Sequence, residues 1–288
     1  MASSLTLSAA EKLIESSLNG VAARWREKFN PHPDLEQMTS AQGVRLFLKD
    51  AEGVPILLAP LHLSWHAHVA WCQAHRRHAV IFAPWGHGKS IQMAVGYVLY
   101  RLGIDVNERI AVVTNVDDQA EKRVQMISQY ITADPDYQRL FPSVHPDETR
   151  SWTNHKLYVK RQGMSIDPSV EAHGVLGSGI GSRYTGIVFD DVVDRRNAIE
   201  QPILREKVAA AIKETWLSRL EEAGWMVYIG TVWHKADFNH QLLEDRELRE
   251  GYCILVQRLR QDYGGIDMGV WNCPDVHDWQ VWMERSDA

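Results

Sequence analysis

The sequence has few cysteines, no long apolar run and no excess of basic residues. Cys72, Cys253 and Cys273 are far apart and form no CxxC pair, so neither a disulfide framework nor a zinc site is expected. No apolar run approaches the length of a membrane span, and the N-terminus lacks the basic and apolar regions of a signal peptide. These absences predict a soluble, intracellular protein with no membrane partner.

The formal net charge of −6 has the wrong sign for a protein that holds nucleic acid by a general basic field. It does not exclude a motor that grips and releases DNA, but the DNA contact would then be a local patch. The chain has 288 residues, of which 45% are hydrophobic. This is enough for one large α/β domain with a substantial core and appendages.

The apolar pattern changes near residue 60. The preceding residues are polar and of helical character, whereas the following ones alternate short apolar runs with amphipathic stretches, which is typical of βαβ units. The strands are predicted at residues 79–82, 110–114, 157–159, 187–189, 226–229 and 253–256. Helices are predicted at 91–102, ending at Gly103, at 117–131, and at 202–222, ending near Gly224.

The strongest chemical signal is residues 83–90, which read Ala83, Pro84, Trp85, Gly86, His87, Gly88, Lys89 and Ser90. They follow a predicted strand and precede a predicted helix, as a phosphate-binding loop does. Gly88 lets backbone N–H groups approach phosphates, Lys89 supplies positive charge to the β- and γ-phosphates, and Ser90 can bind Mg²⁺. Ala83 replaces the usual first glycine, which is tolerable if its φ stays negative. A chance triplet is the alternative, and the strand–loop–helix setting disfavours it.

Two further predicted strands lead into candidate catalytic or metal-binding residues. The strand at 187–189 leads into Asp190 and Asp191, which predicts one carboxylate beside Mg²⁺ and a second that orients or deprotonates the attacking water. We assign Asp190 to the metal and Asp191 to the water; a solvated acidic turn is the alternative. The strand at 226–229 leads into Gly230 and Thr231, whose hydroxyl could sense the γ-phosphate at the carboxyl edge of the sheet. A plain turn is the alternative there.

Three histidines, His62, His66 and His68, could share one helix face. No cysteine pair and no carboxylate lies near them in the sequence. We therefore interpret them as ordinary helix surface and not as a metal site.

Taken in order, these motifs resemble the ATPase domain of tailed-phage large terminases. The matching segments are 83–90, 114–120, 179–191, 216–220, 230–237 and 271–274. The resemblance implies that Lys89 and Ser90 bind phosphate and Mg²⁺, that Asp190 is the Walker B metal acid and that Asp191 is the catalytic carboxylate. It also implies that Thr231 belongs to the coupling motif and that His62 lies near the adenine.

The sequence departs from this family in its arginines. Many terminases carry an arginine inside the phosphate loop, but Trp85 and His87 occupy that stretch here, and Val232 replaces an arginine of the coupling segment. Arg183 matches an arginine in related sequences and is the first candidate for the transition-state arginine. The alternatives are Arg150 and Arg139, acting on a neighbouring subunit, and each of the three could instead be a solvated surface arginine.

We therefore predict an α/β P-loop NTPase fold with a mostly parallel central sheet flanked by helices, plus an N-terminal helical extension. The predicted boundaries are 1–58 for the extension, 59–258 for the ATPase domain and 259–288 for a tail toward a nuclease domain. The resemblance implies an ATP-hydrolysing, Mg²⁺-dependent motor that drives double-stranded DNA into a procapsid. Nuclease activity is not expected from this sequence.

The implied partners are double-stranded DNA, the portal protein and the small terminase subunit. We expect a homo-oligomeric ring on the portal, a largely monomeric protein alone, and a location in the host cytoplasm and transiently at the portal. Three alternatives stay open: a helicase-like nucleic-acid ATPase, a small-molecule kinase and a non-catalytic nucleotide-binding scaffold. Strand-unwinding and ATPase assays separate the first and last of these from a translocase.

Overall fold

The computed structural model of the protein describes residues 38–161, 163–177, 181–231, 233–244, 251–259 and 266–269. Over these residues the chain forms one eight-stranded sheet flanked by helices. The strands are β1 (His78–Phe82), β2 (Ile110–Thr114), β3 (Lys156–Leu157), β4 (Val170–Gly174), β5 (Tyr184–Asp190), β6 (Leu220–Gly230), β7 (Tyr252–Leu259) and β8 (Ile266–Gly269).

The strand order across the sheet is β3-β4-β2-β5-β6-β1-β7-β8. The six inner strands are parallel, whereas β3 and β8 pair antiparallel to their neighbours. Strand β6 lies between β1 and β5, with Ile229 opposite both Ile81 and Asp190. The carboxyl ends of β1, β5 and β6 therefore meet at one edge of the sheet, which confirms the predicted mostly parallel α/β architecture.

The inner strands are short apolar runs buried on both faces, as parallel strands covered by helices must be. Every residue of β2 is buried, and so are residues 79–82 of β1. The predicted strands at 79–82, 110–114, 187–189, 226–229 and 253–256 all lie inside observed parallel strands. The prediction at 157–159 was shifted: the strand is Lys156–Leu157, and Val159 forms only an isolated bridge with Pro146.

Strand β4 was missed because its sequence, Val-Glu-Ala-His-Gly, carries titratable side chains that read as a loop. The fold buries those side chains among polar partners: Glu171 accepts hydrogen bonds from the hydroxyl of Tyr184 (2.7 Å) and pairs with Lys156 (2.9 Å). A buried polar group is tolerated when it is hydrogen-bonded. Apolar periodicity could not reveal a strand of this kind.

The α-helices are α1 (Ser40–Phe47), α2 (Pro60–Ala74), α3 (Val98–Ile104), α4 (Asp117–Ala133), α5 (Pro135–Leu140), α6 (Ile203–Ala210) and α7 (Phe238–Glu244). Segments Ser90–Tyr97, Arg196–Glu200 and Ala211–Trp216 are π-helical, and Leu217–Arg219 is a 3₁₀ turn. Segment Ser90–Tyr97 continues directly into α3. Within the described residues, no helix is long and apolar enough to cross a membrane.

Two predicted helix ends were wrong. Gly103 does not stop its helix but lies inside α3, where a Cβ would stand 2.4 Å from the ring of Phe141, so this glycine serves close packing. The predicted helix 202–222 ends at Arg219, and β6 begins at Leu220 and contains Gly224. Gly224 therefore lies in a strand, because the helical segment already ends at the 3₁₀ turn.

Helix α1 packs into the same core as the sheet. Thr39 and Gln42 form a reciprocal capping box at its start. Val44 and Phe47 are buried in the common apolar cluster, and the Phe47 ring packs edge-on against Tyr137 at 5.1 Å. These residues belong to the predicted extension 1–58, and β8 falls in the predicted tail 259–288. The three domain boundaries stay predictions, and residues 1–37 lie outside the described part of the chain.

Candidate active site

The candidate phosphate loop, residues 83–90, leaves the carboxyl end of β1 and enters the helix that begins at Ser90. Gly86 and Gly88 have left-handed backbone conformations, with φ of +80° and +76°. Other residues are strained in this region, so the turn needs both glycines. Ala83 is not among the described residues with positive φ, which is the condition under which alanine can replace the first glycine of the usual pattern.

The tip of the loop faces solvent. Trp85 is 82% exposed, and a ring nitrogen of His87 lies 3.1 Å from the carbonyl oxygen of Trp85. Pro84 is half-buried, and its carbonyl oxygen points inward, where it accepts a hydrogen bond from Lys89. Residues at the tip therefore contact one another, and a carbonyl oxygen of the loop faces Lys89.

Lys89 is buried within its own loop. Its ammonium donates hydrogen bonds to the carbonyl oxygens of Ala83 (2.7 Å) and Pro84 (3.3 Å) and to the hydroxyl of Thr231 (2.8 Å). An ammonium has three protons, so these contacts satisfy it. Burial lowers the pKa of Lys89, and the carboxylates of Asp191 and Asp190 act in the opposite direction. The lysine charge is thus held at the edge of the sheet where β1 and β6 end.

Ser90 and Asp190 lie side by side. The Ser90 hydroxyl donates a 2.8 Å hydrogen bond to Oδ1 of Asp190, whose residue is 2% exposed. The second carboxylate oxygen of Asp190 accepts a 2.9 Å hydrogen bond from Nε of Arg123 on α4. Hydroxyl and carboxylate oxygens are the donors that Mg²⁺ prefers. This pair therefore fits the predicted metal site.

Asp191 has the properties of a tuned carboxylate. Its backbone is left-handed, with φ of +46°, and its Oδ1 lies 3.8 Å from Nζ of Lys89. That oxygen is buried and has no hydrogen-bond partner within the described residues, although the side chain as a whole is 43% exposed. Desolvation raises the pKa of Asp191 to about 6, with Asp190 adding to the effect and Lys89 opposing it. Strained backbone and a raised pKa are typical of functional carboxylates.

Thr231 connects the end of β6 to the phosphate loop. Its hydroxyl donates to the carbonyl oxygen of Ala83 (3.2 Å) and accepts from Lys89. Its carbonyl oxygen accepts a 2.7 Å hydrogen bond from the side-chain amide of Asn239 on α7. Thr231 therefore connects Lys89 to Asn239 on α7 through two direct hydrogen bonds. The neighbouring residue, Val232, lies outside the described residues.

His62 contacts the loop from α2. Its Nδ1 accepts from the N–H of Ala59 (3.1 Å), so Nε2 carries the proton and donates to the carbonyl oxygen of His87 (3.0 Å). Burial lowers the pKa of His62. The expectation that this helix presents its histidines at the surface was wrong, because His66 and His68 are buried and bind Ser40 and the carbonyl oxygen of Cys253.

The predicted arginines lie away from this site within the chain. Arg183 precedes the first residue of β5, whereas Asp190 is the last, and seven strand residues span about 20 Å. Arg183 is exposed at the opposite edge of the sheet, where its carbonyl oxygen accepts from Nε of Arg109 (3.3 Å). The structure therefore does not bring Arg183 close to Asp190 and Asp191 of the same chain. Arg139 and Arg150 form ion pairs with nearby acids of their own segments, at 3.6 and 3.7 Å.

Arg123 is the site residue that the sequence analysis missed. The apolar positions of the predicted helix 117–131 include Ala120, Val124 and Ile127, all of which are buried. Arg123 follows Ala120 by three residues and precedes Ile127 by four, so it borders the face that packs on the sheet. A basic residue at that border, on the helix that follows β2, was the available signal.

A second cluster of titratable side chains lies on β4 and beside it. Ligand atoms of His155, Glu171 and His173 are within 4.8 Å of one another. The carboxylate of Glu171 is already bound by Lys156 and by the hydroxyl of Tyr184, and Nε2 of His173 lies 3.0 Å from that same hydroxyl. The cluster is a hydrogen-bonded network that needs no ion to satisfy it.

Comparisons with known proteins bear on the fold. No protein-family model and no curated protein matches the sequence. Among solved structures, the crystal structure of the HK97 bacteriophage large terminase is similar, with a TM-score of 0.55 and 16% sequence identity. The match covers 87% of this chain and 52% of that one, so this chain spans about half the length of that protein. The likeness shows that this chain has a fold similar to that of a phage large terminase.

Proposed function

We propose that this chain is the Mg²⁺-dependent ATPase motor of a viral large terminase. The observation that carries the proposal is the convergence of five side chains at one edge of a parallel sheet: Lys89, Ser90, Asp190, Asp191 and Thr231. They lie at or after the carboxyl ends of β1, β5 and β6, and direct contacts link residues from different strands. Ligands of open α/β sheets bind at this edge.

The roles follow from the contacts. The Lys89 ammonium would leave its carbonyl partners for the β- and γ-phosphate oxygens, which carry far more negative charge. Ser90 and Asp190 would hold Mg²⁺, which would neutralise negative charge on the phosphate oxygens. Thr231, whose hydroxyl accepts a hydrogen bond from Lys89, would change partner if the lysine turned to a nucleotide. His62, hydrogen-bonded to the loop, would support it near the base.

The reaction is in-line hydrolysis of ATP. The oxygen of a water molecule attacks the γ-phosphorus, and the bond from that phosphorus to the bridging oxygen breaks, with its electron pair leaving on ADP. Asp191 orients the water and accepts its proton, and its raised pKa makes this transfer feasible near neutral pH. The products are ADP and inorganic phosphate.

We further propose that hydrolysis drives double-stranded DNA into a procapsid, with subunits in a ring on the portal and with the small terminase subunit as a partner. The support is the terminase fold together with the order of the motifs. Because the net charge is −6, the proposed DNA contact would be a local patch and not a general basic field. The place of action would be the host cytoplasm and the procapsid portal.

The test is ATP hydrolysis by the purified chain and by two lysine variants. Lys89→Ala should lower turnover by at least about 10² to 10³, the usual effect of removing a charge-stabilising group. Lys122→Ala, an exposed lysine on α4, is the matched control and should behave as wild type. Wild-type turnover in the Lys89 variant would overturn the ATPase proposal.

The motor role needs a separate readout. Wild-type chain with procapsids and linear DNA should protect DNA from added nuclease in an ATP-dependent way, and Lys89→Ala should not. Strand separation of a forked duplex without such protection would instead identify a helicase-like ATPase.

A further inference from the structure

We propose that Arg123 is the internal catalytic arginine of the proposed ATPase, and that it exchanges its partner Asp190 for the γ-phosphate of a bound nucleotide. The proposal rests on the function proposed above and adds the residue that neutralises the charge of the transferring phosphoryl group. Such an arginine contributes roughly 10³ to 10⁵ in rate in related chemistry.

The phosphate loop does not supply this arginine, because residues 84–88 contain none. Among the arginines in the described part of the chain, Arg123 alone forms an ion pair with Asp190 or Asp191. Arg183 precedes β5, at the end of that strand opposite to Asp190. The geometry therefore selects a residue that no motif contains.

The position of Arg123 matches the task. The two oxygens of Asp190 are divided between the Ser90 hydroxyl and the Arg123 guanidinium, so the arginine is in direct contact with one expected metal ligand and one carboxylate away from the other. The contact with Asp190 uses Nε, and the terminal nitrogens make no hydrogen bond within the described residues. Those two nitrogens form the planar fork that binds phosphate oxygens in pairs.

The side chain can also move. It is 28% exposed, whereas the carboxylate that it binds is 1% exposed. The positive charges of Lys89 and Arg123 face the negative charges of Asp191 and Asp190. If Ser90 and Asp190 held Mg²⁺ beside a nucleotide, the nucleotide phosphate would become the stronger partner for Arg123. Because α4 is packed on the sheet by its apolar face, the exchange would move the arginine side chain and not the helix.

A positioning role makes a different prediction. If Arg123 only fixes the rotamer of Asp190, its loss raises the Mg²⁺ concentration needed for half-maximal activity, and excess Mg²⁺ restores the rate. If Arg123 acts on the phosphoryl group, the loss of turnover persists at saturating Mg²⁺ and ATP. Binding of ADP with aluminium fluoride, which mimics the transition state, then separates the two roles without any measurement of turnover.

The experiment compares wild type with Arg123→Ala, Arg123→Lys and the control Lys122→Ala, each checked for an unchanged thermal melt. We expect Arg123→Ala to lose at least about 10³ in kcat at saturating Mg²⁺. It should bind a non-hydrolysable ATP analogue within a few-fold of wild type but lose about a hundredfold or more in binding of ADP with aluminium fluoride. Arg123→Lys, which keeps the charge without the fork, should recover only part of both.

Other results overturn the proposal in distinguishable ways. An active wild type with an unaffected Arg123→Ala places the arginine elsewhere, and recovery at high Mg²⁺ reduces Arg123 to a positioning residue. If mixing inactive Arg123→Ala chains with inactive Lys89→Ala chains restores hydrolysis, the arginine acts across subunits and not internally. A wild type that hydrolyses no ATP would instead refute the proposed function itself.

Discussion

The raised pKa of Asp191 predicts a particular pH dependence of ATP hydrolysis. The carboxylate must be ionised to accept a proton from water, so activity is lost as the pH falls through the pKa, which is about 6. Ionisation then falls from about nine tenths at pH 7 to about one tenth at pH 5, and kcat/KM should fall roughly tenfold between these values. An ordinary aspartate, with a pKa of about 3.9, would stay more than about nine tenths ionised at pH 5.

The assay is steady-state hydrolysis from pH 5 to pH 8 at constant ionic strength and saturating Mg²⁺. Binding of a non-hydrolysable ATP analogue, measured over the same range, separates protonation of the enzyme's catalytic group from loss of affinity. The variant Asp194→Asn sharpens the test, because the charge of Asp194 helps to raise the pKa of Asp191. In this variant the loss of activity on the acid side of the pH–rate profile should begin at lower pH than in wild type. A rate that stays flat down to pH 5, with binding intact, would refute the assignment of Asp191 as a desolvated base.

Three further outcomes follow from the contacts. Thr231→Val removes the hydroxyl that binds Lys89, so hydrolysis should slow severalfold while ATP-analogue affinity changes little; equal losses in both would contradict a coupling role. Asp191→Asn should raise the thermal melting temperature at pH 8 more than at pH 5, because ionisation disfavours the folded state above the folded pKa of about 6. Gly186→Ala should cost about 1 to 3 kcal/mol of unfolding free energy in a denaturant titration, since its Cβ would stand 2.2 Å from the ring of Trp225.

The sequence predicted the parallel core and the site because both follow from local patterns. Apolar runs buried on both faces become parallel strands, and the residues just after them gather at one edge of the sheet. For this reason Lys89, Ser90, Asp190, Asp191 and Thr231, which are up to 142 positions apart, are found in contact. No packing detail was needed for that prediction.

The remaining features depend on long-range packing. Strand β4 is polar, and only its partners Lys156 and Tyr184 make its burial possible. Gly103 looks like a helix stop until the ring of Phe141 is placed against it. Arg123 was missed for the same reason: the sheet order brings the helix after β2 to Asp190 on the neighbouring β5, whereas the length of β5 keeps Arg183 away from Asp190.

The two antiparallel strands at the margins of the sheet have a consequence for self-association. An open strand edge offers unpaired N–H and C=O groups to any other extended chain, and long flat edges are templates for aggregation. In the described part of this chain the marginal strands β3 and β8 have only two and four residues. Neither edge is long enough to extend the sheet into a second molecule over many hydrogen bonds. The inner parallel strands, which fold slowly because their pairing is non-local, therefore lie between two short marginal strands once the sheet has formed.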